Sequence, residues 1–167
     1  MTESPSTSTS PDPSGDARET IIVGLDQSNS ARAALNWAAE YARLTGNSLR
    51  AISIVDWPTG LVGAADGGLP LETLLLFPNE EQSEDLQRAT RRIFDQTSPE
   101  TGWDLQFRVG HVGRILAQES RGAQLLVIGT GEHVGLGRVL IGSTSHYCLS
   151  HASCPVVAVP GDETEAT

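Results

Sequence analysis

Three short runs in this 167-residue chain are apolar at nearly every successive position: TIIVGL at 20–25, QLLVIG at 124–129 and PVVAV at 155–159. A strand with one face in water alternates between apolar and polar residues. A strand apolar throughout is buried on both faces, and a parallel sheet covered by helices on each side provides that burial.

The segments between these runs carry helical spacing. From Ser28 to Leu44, apolar residues recur at Ala34, Leu35, Ala38, Tyr41 and Ala42. Ser28 or Ser30 is placed to cap the start, and Gly46 to close the end. Leu49–Val55 reads as a second strand. Asn79–Thr97 reads as a helix, with Asn79 and Gln82 resembling a capping box and Leu86, Ala89, Ile93 and Phe94 on one face. Asp104–Val109 alternates, with Leu105, Phe107 and Val109 apolar, and is expected at a half-exposed edge. Val112–Arg121 reads as a short helix closed by Gly122, and Ser143–His151 as the last helix. This alternation predicts an α/β fold: an open, five-stranded parallel sheet of Rossmann-like type with helices on both faces. No internal repeat is visible.

The domain is expected over residues 20–160. Residues 1–19 are rich in Ser, Thr and Pro and are expected to be a disordered tail, as is 161–167. Residues 1–20 and 161–167 together hold seven acids against one base, so most of the net charge of −10 sits outside the body. The body gives no basic footprint for nucleic acid or an anionic membrane. No apolar run is long enough to cross a membrane, no secretory leader is visible, and two cysteines are too few for a disulfide scaffold. A cytoplasmic location is expected. The stretch 56–78 is long for a connection and reads either as a lid or as a flexible excursion.

Composition sharpens the functional reading through one absence. All eleven basic residues are arginine. Without lysine there is no P-loop lysine for a β/γ-phosphate and no amine for Schiff-base chemistry. Any anionic ligand is held by other groups.

In an open parallel sheet, ligands sit beyond the carboxyl ends of the strands. After the fourth strand comes Gly129-Thr130-Gly131-Glu132-His133-Val134-Gly135-Leu136-Gly137-Arg138, with four glycines in nine positions. Glycine accepts positive φ and close approach of a ligand. The helix start at Gly142-Ser143-Thr144 offers free amides, a positive dipole end and hydroxyls, and Arg138 adds a cation. A phosphate-binding loop and a plain flexible loop followed by a serine cap both fit this pattern. Asp26, after the first strand, is placed either to bond a ribose hydroxyl or to help cap the next helix. Main-chain groups near Ile54 and Val55 are candidates for a base edge.

Other chemistries find less support. Gly129-Thr130-Gly131 lacks the third glycine of a dinucleotide fingerprint, since Val134 stands there. His146, Cys148, His151 and Cys154 are not spaced as a zinc site and read as buried thiols and surface histidines. His111 and His133 lack evident partners, and no Gly-x-Ser-x-Gly elbow appears. Trp37 reads as packing. Trp57, after the second strand, is a candidate ligand neighbour. No dedicated enzyme is expected. The last strand, Val156, Val157, Ala158 and Val159, is apolar at a sheet edge, which invites pairing with a second copy unless the chain covers that edge itself.

Over about residues 20–160 the chain resembles the universal stress protein family, single-domain type. The resemblance rests on IIVGLDQSNSARAALNWAAEYA, IVDWP and GHVGRIL. Above all it rests on IGTGEHVGLGRVLIGSTSHYCLSHASCPVVAVP, ending in G-S-T-S-x₈-C-P-V-V-A-V. It implies strand order 3-2-1-4-5 and a homodimer through the last strand. For one branch of the family it implies ATP or another adenine nucleotide in the strand-end cleft, possibly with Mg²⁺. That branch spaces its motif as glycine, two residues, glycine, nine residues, glycine, then serine or threonine. The first and last glycines fall on Gly129 and Gly142, with Ser143 following, but the middle one is Glu132, a departure. A carboxylate there opposes a triphosphate. Its alternative implication is a nucleotide-free dimeric interaction module. The resemblance also lays the adenosine-contacting aspartate on Asp26 and the base-contacting backbone near Ile54 and Val55. The candidate set is therefore Gly24, Asp26, Ile54, Val55, Gly129, Thr130, Gly131, Glu132, Gly135, Arg138, Gly142, Ser143 and Thr144.

Overall fold

The computed structural model describes residues 19–56, 80–97, 99–131, 134–135, 138–139 and 142–161. The rest of the two expected tails, the connection 57–79 with Trp57, the Asn79 cap, Glu132 and His133 lie outside the described residues.

The chain runs β1 (Thr20–Gly24), α1 (Asn29–Thr45), β2 (Ser48–Val55), α2 (Glu80–Gln96), β3 (Asp104–Val109), α3 (Val112–Glu119) and β4 (Leu125–Gly129). Two short strands follow, β5 (Val134–Gly135) and β6 (Arg138–Val139), then α4 (Ser143–His151) and β7 (Val156–Val159). The main sheet has the order β3-β2-β1-β4-β7, which is the expected 3-2-1-4-5. Every neighbouring pair in it is parallel. β5 and β6 form a separate antiparallel pair.

Both faces are covered. Ile21, Val23, Leu49, Ala51, Leu125 and Val127 pack on one side with Ala34, Leu35 and Ala38 of α1 and Ile93 and Phe94 of α2. Ile22, Ile52, Leu126 and Ile128 pack on the other with Leu116 of α3 and Cys148 of α4. Successive residues of β1 and β4 thus enter opposite cores, which is why their sequences never alternate.

Two expectations need adjustment. Leu86, placed on the buried face of its helix, is 39 % exposed, because α2 packs through its second half at Thr90, Ile93 and Phe94. PVVAV has the continuous apolar pattern of a strand buried on both faces, yet β7, at the sheet edge its place in the order implies, is half-buried with Ala158 exposed. The alternating strand β3 does lie at the half-exposed edge, with Leu105 buried and Val109, at its end, 64 % exposed.

Candidate functional site

β1 leads into a helix that returns on one side of it, and β4 leads on to β7 on the other. The order of the sheet reverses between them, and the two connections diverge above their carboxyl ends. A cavity of about 420 Å³ lies at that point, lined by the ends of β1, β2 and β4 and by the starts of α1, α3 and α4.

Its floor is apolar: Ile52, Ile54, Val112, Leu116 and Ile128. Gly24 lies beside them, and a Cβ there would come within 3.0 Å of Leu116 Cδ1, so the glycine keeps this wall open. One lip is the start of α1. Asp26 Oδ1 accepts the Ser28 amide at 2.8 Å, and Ser28 Oγ accepts the Ala31 amide at 3.1 Å. Ser28 is therefore the N-cap, and Asp26 supports it while remaining exposed. The opposite lip is the start of α4. Its N-cap is Gly142, and no side-chain hydrogen bond caps it.

Packing from below fixes α4. Gly113 of α3 approaches so closely that a Cβ there would lie 2.9 Å from Tyr147 Cβ. Cys148 is fully buried beneath α4, and burial pushes its thiol up from 9.0 to about 11. Burial also raises Cys154, against hydrogen bonds from Leu126 and Ser120 that lower it. Cys154 is half-buried rather than buried as expected, and His146 and His151 are exposed. His111 has a partner that the sequence did not reveal: its Nδ1 accepts the Arg114 amide at 3.3 Å and caps α3.

Between the lips runs the end of β4. Gly131 has φ +85°, the left-handed conformation expected of this loop. Gly129 serves differently: a Cβ there would lie 2.6 Å from the carbonyl carbon of Ser30 and 2.7 Å from its Oγ. Its lack of a side chain lets the strand end close onto α1. Thr130 is 5 % exposed, and its Oγ1 is buried without a hydrogen-bond partner.

Nine of the thirteen candidate residues meet at this cavity: Gly24, Asp26, Ile54, Gly129, Thr130, Gly131, Gly142, Ser143 and Thr144. Val55 is not among its lining; the Val55 carbonyl accepts the Gly110 amide at 3.0 Å instead. Gly135 and Arg138 pair with each other in the β5–β6 ladder, and Glu132 lies outside the described residues. The sequence reading missed Ser30 and Ser145 as site residues. Ser30 Oγ accepts the Gly131 amide at 3.3 Å, and Ser145 Oγ donates to the Gly129 carbonyl at 2.9 Å.

Orphaned donors, an uncapped helix start and an apolar floor form a cleft with one end suited to an anion and the other to a flat apolar group. Among the described lining residues Asp26 is the one ionisable side chain.

Comparison with known proteins places this arrangement. The model of the Universal stress protein family matches residues 17–160. A universal stress protein of Mycolicibacterium smegmatis is 35 % identical over 153 residues, covering 87 % of this chain and 49 % of that protein. The chain thus spans about half the length of that relative. Universal stress protein UspA from Lactobacillus plantarum shares the fold with a TM-score of 0.62 at 23 % identity, over 86 % of this chain and 99 % of that one. The universal stress protein from Archaeoglobus fulgidus, solved in complex with dAMP, has a TM-score of 0.51 at 20 % identity, over 84 % and 96 % of the two chains. With the sheet order, the strand-end cleft and a family match across the whole folded body, the chain belongs to the universal stress protein family.

Proposed function

We propose that this chain binds an adenine nucleotide, ATP or a close relative of it, as a dimeric regulator of the stress response in the cytoplasm, and that it is not a dedicated enzyme. The observation that carries the reading is the pairing of the orphaned Thr130 hydroxyl with the uncapped start of α4 across one cavity. A buried hydroxyl without a partner costs about 1–3 kcal/mol, which an acceptor oxygen from a ligand recovers. The α4 dipole favours a negative charge at the same place.

The adenosine end belongs against Gly24, Ile52, Ile54, Val112 and Leu116, with Asp26 available to a ribose hydroxyl. The phosphates belong beside the Thr130 hydroxyl and the turn at Gly131, on the α4 start at Gly142–Thr144. The Archaeoglobus fulgidus relative crystallised with dAMP supports the class of ligand. Mg²⁺ enters this reading only with the phosphates, since no group of His, Cys, Asp or Glu able to hold a metal occurs among the described residues. Among the described lining residues the one ionisable side chain is Asp26, and it is engaged with the Ser28 amide at the α1 cap, which supports binding.

The dimer reading rests on β7. Among the described residues β7 has no sheet neighbour on its outer side, and that edge, carrying Val156, Val157 and Val159, is one that a second copy can complete by two-fold pairing. Among the described residues no helix is long and apolar enough to cross a membrane.

Calorimetric titration with ATP, ADP, AMP and cyclic AMP tests the ligand. Saturable heat is expected with at least one of them, strongest for the nucleotide whose phosphates reach α4. Absence of heat with all four at millimolar concentration overturns the nucleotide reading.

A further inference from the structure

Ser30 sits in the first turn of α1 and is 2 % exposed, an unusual burial for a serine at a helix start. Distant parts of the chain converge on it. Gly129 packs on its carbonyl carbon and Oγ, and a Cβ at Gly161, beyond β7, would lie 3.2 Å from its amide nitrogen. The Gly131 amide donates to its Oγ from 101 residues away.

That last bond is half of a longer connection. The peptide joining Thr130 to Gly131 is held at both ends. Its N–H donates to Ser30 Oγ at 3.3 Å, and its carbonyl accepts the Gly142 amide at 3.4 Å. Ser30 belongs to α1, and Gly142 is the N-cap of α4. One peptide plane therefore spans the two lips of the cavity. Ser28 and Ser30 hydroxyls meet at 3.2 Å, which ties this span to the α1 cap.

We infer that Ser30 is a positioning residue of the anion cradle: through the Thr130–Gly131 peptide it sets the distance between the α1 and α4 starts. The inference rests on the nucleotide reading above. The Gly131 amide is occupied by Ser30 and is not itself a ligand donor. Its contribution is to hold Thr130 Oγ1 and the α4 amides in place before a ligand arrives, so that binding requires little ordering.

The test is Ser30→Ala, which removes Oγ and leaves the backbone seats of Gly129 and Gly161. Loss of one neutral hydrogen bond predicts about fivefold weaker ATP binding. Adenosine, which lacks phosphates, should change less than twofold, and a general loss of structure would not produce that split. In the ligand-free protein, hydrogen exchange should accelerate at Gly131 and Gly142 while β2 and β3 stay unchanged. An equal loss for ATP and adenosine, or an ATP affinity equal to wild type, overturns the inference. If the wild-type chain binds neither compound, the nucleotide reading fails and exchange alone decides the brace. Acceleration confined to the two lips then upholds it, and unchanged exchange refutes it.

Discussion

Two helices begin at the rim of the same cavity, and they begin differently. At α1, Ser28 takes the Ala31 amide on its side chain and the Arg32 amide on its carbonyl, and its own amide goes to Asp26. At α4, Gly142 offers no side chain, and its φ of −60° and ψ of 161° need no glycine. An ordinary capping serine or aspartate would fit there. The contrast gives the cleft a polarity. Both starts engage the main chain of the cap residue, the Gly142 carbonyl accepting the His146 amide and its own amide going to the Thr130 carbonyl. The difference is the side-chain cap, which α1 has and α4 lacks, so the α4 start keeps one more donor for an anion.

The largest perturbation of this arrangement is Gly129→Ala. The new Cβ would lie 2.6 Å from one backbone carbon and 2.8 Å from the Ala31 nitrogen, and neither is the movable end of a side chain. Forcing the strand end away from α1 is expected to cost about 3 kcal/mol. That lowers the melting temperature by about 10 °C for a chain of this size. Both lips move apart, so nucleotide binding should be lost with it. A melting temperature within about 2 °C of wild type would show that α1 and β4 are not in this close contact.

Gly142→Asp addresses the contrast directly. Among the described residues a Cβ at Gly142 meets nothing nearer than the Thr130 carbonyl at 3.8 Å, and the backbone is already in a capping conformation. The carboxylate should cap α4 and raise stability by about 0.5–1 kcal/mol, read in thermal unfolding. It also places a negative charge where the phosphates belong, so ATP affinity should fall at least tenfold, an effect of ~1.4 kcal/mol. Opposite movements of stability and affinity are the signature of an anion seat. Unchanged ATP affinity would separate the α4 start from the ligand.

How much of this was legible in the sequence follows from distance along the chain. The covered sheet was written locally: Ile21 and Ile22 enter opposite cores, and the run TIIVGL alone announced that. The glycine loop and the Ser143 helix start were also local, and most of the residues chosen from them reached the cavity. The order of strands came with the resemblance, since alternation fixes neighbours only loosely. Ser30 was invisible as a site residue because its partner, Gly131, is 101 positions away and nothing in a helix-start serine points there. The loop glycines read as room for positive φ and for close approach of a ligand, whereas at Gly129 the close approach is that of α1, a use of glycine that a sequence does not distinguish. The resemblance points to the main chain near both Ile54 and Val55, but successive strand residues face opposite ways: Ile54 lines the cavity and the Val55 carbonyl accepts the Gly110 amide.

The mildest change asks whether the α1 start is as closed to ligand as its hydrogen bonds indicate. Ser28→Ala removes the hydroxyl that accepts the Ala31 amide and leaves the Ser28 main-chain bonds to Asp26 and Arg32. Losing a serine cap costs about 1 kcal/mol, or about 3 °C in melting temperature. If the cap acts within the helix, ATP affinity should change less than twofold, although Ser28 lines the cavity as Ser143 does. A drop in ATP affinity as large as that of Gly142→Asp would reverse the assignment, because the phosphates would then lie on α1 and the open start of α4 would be a place without a ligand. Measuring both variants by the same titration therefore decides which helix carries the charge, independently of which adenine nucleotide is bound.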